Sequence, residues 1–231
     1  MIDRRTFMLT SLASMLMPWV APAGTRVDKP LSWTSYLGEM KQLAAAYADK
    51  AITQDVMAAR GVQLLQQLDI ADDEFRAAVH AAYESGNRFW LWQRLTRASD
   101  INGGILNIEQ GKDVPLHDHP GATGMVRVLT GEVDVWQFDL IPMTAEPADT
   151  SVVLELVTHR VMQPGDIAVL SPDSGNIHAL RARSKTCSML DYFIPPYVRS
   201  ERSWFLPVDE NRDSEHRITC QRIREDDFYM S

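Results

Sequence analysis

Two patterns of hydrophobic and polar residues divide the chain near Ile101. Between residues 33 and 96 the apolar residues recur at helical spacing, and Thr53 is suited to cap one of the helices. From Ile101 onward, short β-branched runs alternate with glycine, proline, aspartate and asparagine, and no segment has the pattern of a long helix. We therefore predict a helical N-terminal segment over residues 24–100 and a β domain over residues 101–231.

The β domain is expected to contain eight or so short strands. Strands at this spacing indicate a mainly β fold, either a β-sandwich or a small barrel. Residues 139–150 are expected to form a loop, and the acidic segment Glu225-Asp226-Asp227 is expected to be a solvated end. In chain order the predicted strands read ILNIE, MVRVLT, EVDVWQF, SVVLELVTHRVM, IAVL, IHALRA, CSMLDYF and HRITCQRIR.

The first 23 residues have the features of an export signal. Adjacent Arg4 and Arg5 precede an apolar run of 14 residues, 7–20, which is too short to span a bilayer comfortably. Residues 21–23, Ala-Pro-Ala, follow as a small-residue cleavage site. The start resembles a twin-arginine signal, although Asp3 stands where a hydroxyl residue is usual. We expect a periplasmic or otherwise exported protein without a stable membrane span once cleaved; an ordinary secretory signal or an uncleaved anchor is the alternative.

Composition narrows the class of partner. The 231 residues are 45% hydrophobic and 23% charged, which is typical of a soluble globular protein. The formal net charge of −8 argues against nucleic-acid binding, because a phosphate backbone attracts basic surfaces. Two cysteines, Cys187 and Cys220, are too few for a disulfide framework or a cysteine-based zinc site. The sequence does not decide whether they pair with each other.

Three histidines are candidate metal ligands. His117 and His119 are separated by one residue, and side chains at i and i+2 of a strand leave the same face. Asp118, between them, is expected to point the opposite way. His178 lies in another apolar run downstream and is the best candidate for a third ligand. Neutral imidazole suits iron, zinc, copper or nickel.

The spacing around these histidines resembles the first motif of the cupin family, Gly-x5-His-x-His, a glutamate, then x6-Gly. Gly111, the two neighbouring histidines and Gly131 match this motif. Residues 172–178, PDSGNIH, approximate the second cupin motif, and residues 164–166, Pro-Gly-Asp, match the turn ahead of it. The resemblance implies a cupin jelly-roll β-sandwich with a metal ion inside, which agrees with the predicted strands.

The chain departs from the cupin motif at the glutamate ligand. Thr123 and Gly124 stand at that position, so the motif supplies no carboxylate there. The metal would be held by His117, His119 and His178 only. This set resembles the facial triad of non-haem Fe(II) oxygenases with a histidine in place of the carboxylate.

Two longer stretches resemble the thiol dioxygenases among the cupins, namely the cysteamine (2-aminoethanethiol) dioxygenases and the plant cysteine oxidases. They are PLHDHPG, residues 115–121, and SGNIHALRARSKTCSMLDYFIPPY, residues 174–197. The resemblance implies Fe(2+) on the three histidines, with dioxygen and a small-molecule thiol or an N-terminal-cysteine peptide as reactants. Both oxygen atoms would be added to sulfur, giving a sulfinic acid. Cysteamine, cysteine, 3-mercaptopropionate and an N-terminal cysteine are all open as the thiol.

Asp191 and Tyr197 match an aspartate and a tyrosine that these enzymes use near the iron for substrate. Asp191 alternates with apolar residues on a predicted strand, and a carboxylate buried there needs a partner. A substrate ammonium group is the functional candidate, and a salt bridge to Arg181 or Arg183 is the structural alternative. For Tyr197 the alternative is a core aromatic residue with a satisfied hydroxyl.

The remaining histidines, His80, His159 and His216, are expected to be surface or satisfied residues. Arg127 lies between two valines and is expected on a solvated strand face, with contact to an anionic substrate group as the alternative. Two other functions stay open for the chain: a cupin enzyme that uses nickel, manganese or copper on another substrate, and a non-catalytic cupin that binds a ligand. A metal-free cupin is the corresponding alternative for the three histidines.

Overall fold

The computed structural model describes residues 30–84, 90–97, 100–142, 151–198, 201–208 and 216–228. The predicted export signal lies outside these residues. Three helices come first, and each begins after a residue whose side-chain oxygen accepts a backbone N–H of the first turn. The predicted cap Thr53 is among them. The helices are α1 Trp33–Ala48, α2 Gln54–Gln67 and α3 Asp73–Tyr83, with Ser32, Thr53 and Asp72 as caps.

Eleven strands and one short helix follow in the described part of the chain. None of the described helices is long and apolar enough to cross a membrane. The strands are β1 Trp90–Arg97, β2 Asn102–Glu109, β3 Asp113–His117, β4 Thr123–Thr130, β5 Val133–Leu140, β6 Ser151–Met162, β7 Ile167–Leu170, β8 Ile177–Ala182, β9 Thr186–Ile194, β10 Ser203–Pro207 and β11 Arg217–Arg224, and the helix is α4 Glu225–Phe228.

The strands form two antiparallel sheets, which confirms the prediction of a mainly β jelly-roll sandwich behind a helical segment. One sheet has five strands in the order β1-β2-β9-β4-β7. The other has six strands in the order β10-β11-β6-β5-β8-β3. This second sheet closes on itself because β10 also pairs with β3, through Trp204 opposite His117. The closure places His117 of β3 between Trp204 of β10 and His178 of β8.

Three apolar clusters hold these layers together. The first lies between the helices and the outer face of the five-stranded sheet, where Tyr36 of α1 meets the edge of Tyr192 of β9 at 5.6 Å. The second lies between the two sheets and contains Met189 and Phe193 of β9. The third belongs to the six-stranded sheet alone. Apolar burial of this extent is the main favourable contribution to folding.

The two cysteines are both free and buried, and they belong to different clusters. Cys187 lies between the sheets, and Cys220 lies in the cluster of the six-stranded sheet. Burial raises the pKa of the Cys187 thiol to about 12. Because the thiolate is the reactive form, Cys187 is a packing residue at neutral pH.

The prediction that helical structure extends to residue 96 is wrong, because residues 90–97 form β1. Trp92 pairs with Leu106 across the β1–β2 ladder and packs against the core between the sheets. A Cβ on Gly104 would overlap the Trp92 ring, so the glycine leaves the space that this ring occupies. Pairing with β2, the next strand along the chain, decides the conformation here, and a helical pattern within the segment does not report that pairing.

Candidate metal centre

The three predicted histidines meet inside the protein. Ring nitrogens of His117, His119 and His178 lie within 4.8 Å of one another, and each residue is only 4% exposed. The ring centroids are 4.9 Å apart for His117 and His119, 4.4 Å for His117 and His178, and 5.1 Å for His119 and His178. A cluster of this size is suited to hold one metal ion.

Strand pairing places two of the three side chains. His117 ends β3 and stands opposite His178 of β8 in the antiparallel ladder. The ladder is irregular between Val114 and His117, so the end of β3 departs from the regular register. On its other side His117 faces Trp204 of β10, whose ring centroid is 5.0 Å away.

His119 is held by a side chain rather than by a strand ladder, because β3 ends two residues earlier. The side-chain oxygen of Asn176 accepts the backbone N–H of His119 at 3.0 Å. The amide nitrogen of Asn176 donates to the backbone carbonyl of His119 at 3.2 Å. Asp118 points away from the cluster, as predicted, and accepts the backbone N–H of Ser203 at 2.7 Å.

The hydrogen bonds of the rings define which nitrogen is available to a metal. Nδ1 of His117 lies 2.7 Å from the Pro115 carbonyl oxygen, and Nδ1 of His178 lies 2.9 Å from the Asn176 carbonyl oxygen. A carbonyl only accepts, so each Nδ1 carries the proton and each Nε2 keeps a free lone pair. Nδ1 of His119 is buried without a hydrogen-bond partner among the described residues.

All three imidazoles are held in the neutral form that binds metal. Burial is the main cause that lowers the pKa of each ring, and the positive charge of Arg202 lowers each pKa further. The pKa of His178 falls to about 4. The described histidines therefore fit a divalent ion that accepts nitrogen ligands.

No carboxylate belongs to the cluster in the described part of the chain. Thr123 is buried at the start of β4 with Gly124 after it, where the cupin motif carries its glutamate. A ligand set of three neutral imidazoles leaves the full charge of a bound dication uncompensated by its direct ligands.

Aromatic rings line the cluster on the side of the five-stranded sheet. The His119 ring centroid lies 4.3 Å from Phe193 and 4.4 Å from Tyr197, and these two rings meet edge to face at 5.1 Å. The structure thus places the predicted residue Tyr197 directly against one candidate ligand. It also identifies Phe193 as part of the same wall, a residue that the strand pattern marks only as apolar.

Asp191 is buried on the face of β9 that carries Met189 and Phe193. Both carboxylate oxygens accept the indole N–H of Trp92, at 2.7 and 3.0 Å. Burial raises the pKa of this carboxyl to about 7, while the hydrogen bonds from Trp92 and from the Gly104 backbone lower it. The carboxyl is therefore balanced between its charged and neutral forms near neutral pH.

The alternative of a salt bridge between Asp191 and Arg181 or Arg183 is wrong. Arg181 forms a two-point ion pair with Asp113, at 2.6 and 2.7 Å. Arg183 pairs in the same way with Asp134, at 2.7 and 3.0 Å. Arg181 follows the alternation of β8 to the outer face of the sheet, Arg183 comes directly after that strand, and both bind other carboxylates there.

The prediction of a solvated acidic end is wrong at Glu225, which is 3% exposed. Its carboxylate accepts two hydrogen bonds from the guanidinium of Arg202, at 2.8 and 2.7 Å. The indole N–H of Trp204 also donates to Glu225, at 2.6 Å. No motif in the sequence marks these residues, because the pair joins positions 23 apart through the folded structure.

The other three histidines are surface residues, as predicted. His80 is exposed and lies 3.6 Å from Glu84. His159 stacks on Trp136 with centroids 4.7 Å apart, and its Nε2 lies 2.9 Å from Asp134. His216 is exposed at the start of β11.

The fold and the cluster together define a cupin-type β-sandwich with an internal site of three histidines. The chain belongs to the PCO_ADO family, whose pattern matches residues 54–228. It is 34% identical to plant cysteine oxidase 2 of Arabidopsis thaliana over 86 residues, which are 36% of this chain and 31% of that protein. It is 27% identical to 2-aminoethanethiol dioxygenase of Homo sapiens over 141 residues, 52% of this chain and 49% of that protein.

The chain thus spans less than half the length of these two relatives. Among solved structures, a Klebsiella pneumoniae protein with a double-stranded β-helix domain superposes with a TM-score of 0.38 and 19% identity. That likeness covers 51% of this chain and 81% of the other. A cupin superfamily protein of Desulfitobacterium hafniense gives a TM-score of 0.36 and 17% identity, over 49% of this chain and 86% of the other.

Proposed function

We propose that this protein is a non-haem iron thiol dioxygenase that adds both atoms of O2 to the sulfur of a thiol and releases a sulfinic acid. Fe(2+) would be held by His117, His119 and His178. The observation that carries the proposal is the buried cluster of three neutral imidazoles without a carboxylate. Membership of the PCO_ADO family supports it, because relatives in the matched region are named as thiol-oxidising enzymes.

The metal and the protein would make different contributions to the reaction. Iron, when bound, would supply the oxygen chemistry and favour the deprotonated form of the thiol. The carbonyl groups of Pro115 and Asn176 hold the rings of His117 and His178 in one tautomer, so their Nε2 lone pairs stay directed. The burial of the cluster excludes water from the reacting sulfur.

Asp191 is the group we assign to the substrate amine. Its carboxyl is buried on the face of β9 that leads to Phe193 and the cluster, and a substrate ammonium would compensate the charge that burial penalises. Trp92 fixes the orientation of the carboxylate by donating to it. We assign Tyr197 a place beside the substrate because its ring covers His119.

The charges around the cluster favour a thiol that needs no partner for a carboxylate. Arg202 lies close enough to lower the pKa of all three histidines, but Glu225 already binds its guanidinium at two points. We therefore favour cysteamine or the N-terminal cysteine of a peptide over free cysteine or 3-mercaptopropionate.

Oxygen uptake by the full-length, Fe(II)-loaded protein tests this function. Cysteamine, cysteine, 3-mercaptopropionate and a peptide with N-terminal cysteine are supplied in turn, and the product is analysed for sulfinate. We expect uptake with at least one amine-bearing thiol and its loss in His178→Ala. His159→Ala is the matched control, because that histidine lies on the surface against Trp136 and Asp134 and should leave the rate unchanged.

Two results would replace this function with another. Uptake with protein loaded with nickel, manganese or copper and not with iron would indicate a different cupin enzyme. Stabilisation by a thiol without oxygen consumption at full iron occupancy would indicate a binding protein.

Export is a second proposal and rests on residues 1–23 alone. The paired arginines and the apolar run support a route that carries folded, metal-loaded protein. A reporter fused behind residues 1–30 should appear outside the cytoplasm, and replacement of both arginines by lysine should retain it inside. A reporter that stays in the cytoplasm with the native arginines would contradict export.

A further inference from the structure

We propose that Glu225 neutralises Arg202 beside the three-histidine cluster and thereby sets the affinity of the cluster for a divalent metal ion. Both are positioning residues, because they act through the histidines and not on a substrate. The inference rests on the metal site of the proposed function, but it needs no thiol and no oxygen chemistry.

The Arg202–Glu225 pair is unusual for its burial. The two side chains are 10% and 4% exposed, and two parallel hydrogen bonds at 2.8 and 2.7 Å join them. By contrast, Arg181 and Asp113 form a similar two-point pair with side chains 54% and 42% exposed. A buried charge that loses its partner is far more costly than an exposed one, so each member of the inner pair requires the other.

The pair is fixed in place by Trp204, and Trp204 contacts the cluster. The guanidinium of Arg202 lies 4.7 Å from the Trp204 ring centroid, and the indole N–H binds Glu225 at 2.6 Å. The Trp204 ring lies 5.0 Å from that of His117, and Phe228 stacks on the same indole at 4.2 Å. The four-residue helix α4 therefore carries a carboxylate to the edge of the metal centre from the end of the fold.

The charges explain why this carboxylate matters. A dication held by three neutral imidazoles receives no negative charge from these ligands. The nearby Arg202 adds a positive charge, because its guanidinium lies 4.7 Å from the Trp204 ring and 6.0 Å from the Tyr197 ring. These two rings contact two of the three histidines, at centroid distances of 5.0 and 4.4 Å. Glu225 cancels that positive charge at hydrogen-bond distance. The pair as a whole therefore adds no net charge beside the cluster, whereas Arg202 alone would oppose the binding of a dication.

The proposal predicts opposite effects for the two members of the pair. Glu225→Gln keeps an oxygen that accepts the Trp204 N–H but leaves Arg202 as an uncompensated cation. Affinity for Co(II) and Zn(II) should fall by about 10–100-fold. Arg202→Met leaves Glu225 as an uncompensated anion and should tighten metal binding about 10-fold. The double variant Arg202→Met/Glu225→Gln has neither charge and should bind within about 3-fold of the unmodified protein.

The metal affinities of the variants are measured by titrating the full-length, metal-free protein, with Co(II) absorption as the spectroscopic signature. Thermal unfolding of each variant is measured in parallel. Asp113→Asn and Arg181→Met are the matched controls, because their pair joins β3 and β8, the strands of His117 and His178, at the surface. Both controls should leave metal affinity unchanged. Because neither thiol nor oxygen is present, failure here is distinguishable from failure of the dioxygenase assay.

The direction of the change in metal affinity in each variant distinguishes the proposal from a packing role. If the pair merely supports packing, the two single variants and the double variant all lose metal affinity together with stability, and the proposal is overturned. If Glu225→Gln does not fold, Arg202→Met and the double variant are still compared, since replacing a whole buried pair by neutral residues is usually tolerated. Tighter binding by Arg202→Met than by the double variant supports the proposal, and equal or weaker binding contradicts it.

Discussion

The side chain of Asn176 binds the backbone of His119 from both directions, accepting its N–H at 3.0 Å and donating to its carbonyl at 3.2 Å. The backbone carbonyl of Asn176 lies 2.9 Å from Nδ1 of His178. One residue therefore orients two of the three candidate ligands, one through its side chain and one through its main chain. This relationship explains how His119 is fixed although it lies beyond the end of β3.

Asn176→Ala separates these two contacts. The variant removes both side-chain hydrogen bonds to the backbone of His119 but leaves the carbonyl that holds His178. We expect a loss of about 10–100-fold in affinity for Co(II) or Fe(II), because outer hydrogen bonds orient metal ligands. The free energy of unfolding should fall by about 1–3 kcal/mol, because the His119 N–H loses its partner, while the His119 carbonyl still accepts the N–H of Ala122. Metal titration and urea unfolding measure the two effects, and an unchanged metal affinity would show that Asn176 is dispensable for the site.

Asp191→Asn should stabilise the metal-free protein at alkaline pH. The pKa of the carboxyl is about 7 in the folded state against 3.8 for an unperturbed group, so the folded protein binds this proton more tightly. Its contribution to stability is complete below pH 4 and is lost as the pH rises through 7. Asparagine keeps an oxygen for the Trp92 N–H and has no charge to bury. As the pH rises from 5 to 8, the free energy of unfolding of the variant should increase by about 2–3 kcal/mol relative to that of the unmodified protein.

The comparison with the unmodified protein is necessary because the histidines act in the opposite direction. Their pKa values are lowered in the folded state, so their contribution is lost as the pH falls below 6.5. They are common to both proteins and cancel in the difference. Chemical denaturation across the pH range measures it, and a difference that does not vary with pH would refute a raised pKa at Asp191. Thiol oxidation should be lost in the variant, because the substrate amine loses its counter-charge.

Gly104→Ala should disturb the site from the neighbouring strand, because Gly104 of β2 stands directly opposite Asp191 of β9. The new Cβ would overlap the Trp92 ring, so the indole must move and release the Asp191 carboxylate. We expect a loss of about 1–3 kcal/mol in the free energy of unfolding, together with reduced thiol oxidation.

Gly38→Ala is the control for this variant, because Gly38 lies within α1 and a methyl group added there would meet no atom within 4 Å. That variant should gain about 0.5–1 kcal/mol and keep full activity. If Gly104→Ala were as stable and active as Gly38→Ala, the Trp92–Asp191 contact would have no part in the site.

The candidate ligands could be predicted from the sequence because their chemistry is local. His117 and His119 lie in one motif, and His178 ends a second motif. Asn176 of the second motif binds the backbone of His119 and so connects the two motifs. The strand alternation likewise placed Asp191 on the face of β9 between the sheets. In each case the information lies within a few residues of the side chain concerned.

Long-range partners account for what could not be predicted. Arg127, expected on a solvated strand face or near an anionic substrate group, is half-buried and donates to the carbonyl oxygens of Leu65 and Leu68 at the end of α2. Glu225, in a run of acids, is buried because Arg202 and Trp204 bind it across the fold. Spacing and composition mark none of these partners. The folded structure brings each pair together from positions that are far apart in the sequence.

Oxygen-18 labelling tests the central claim most directly. The Fe(II)-loaded, full-length protein is supplied with cysteamine under labelled dioxygen in unlabelled water, and then with a peptide that begins with cysteine. We predict a sulfinic acid product that carries two labelled oxygen atoms, and no product from the His178→Ala variant. A disulfide, or a product whose oxygen comes from water, obtained at full iron occupancy, would contradict the assignment as a thiol dioxygenase.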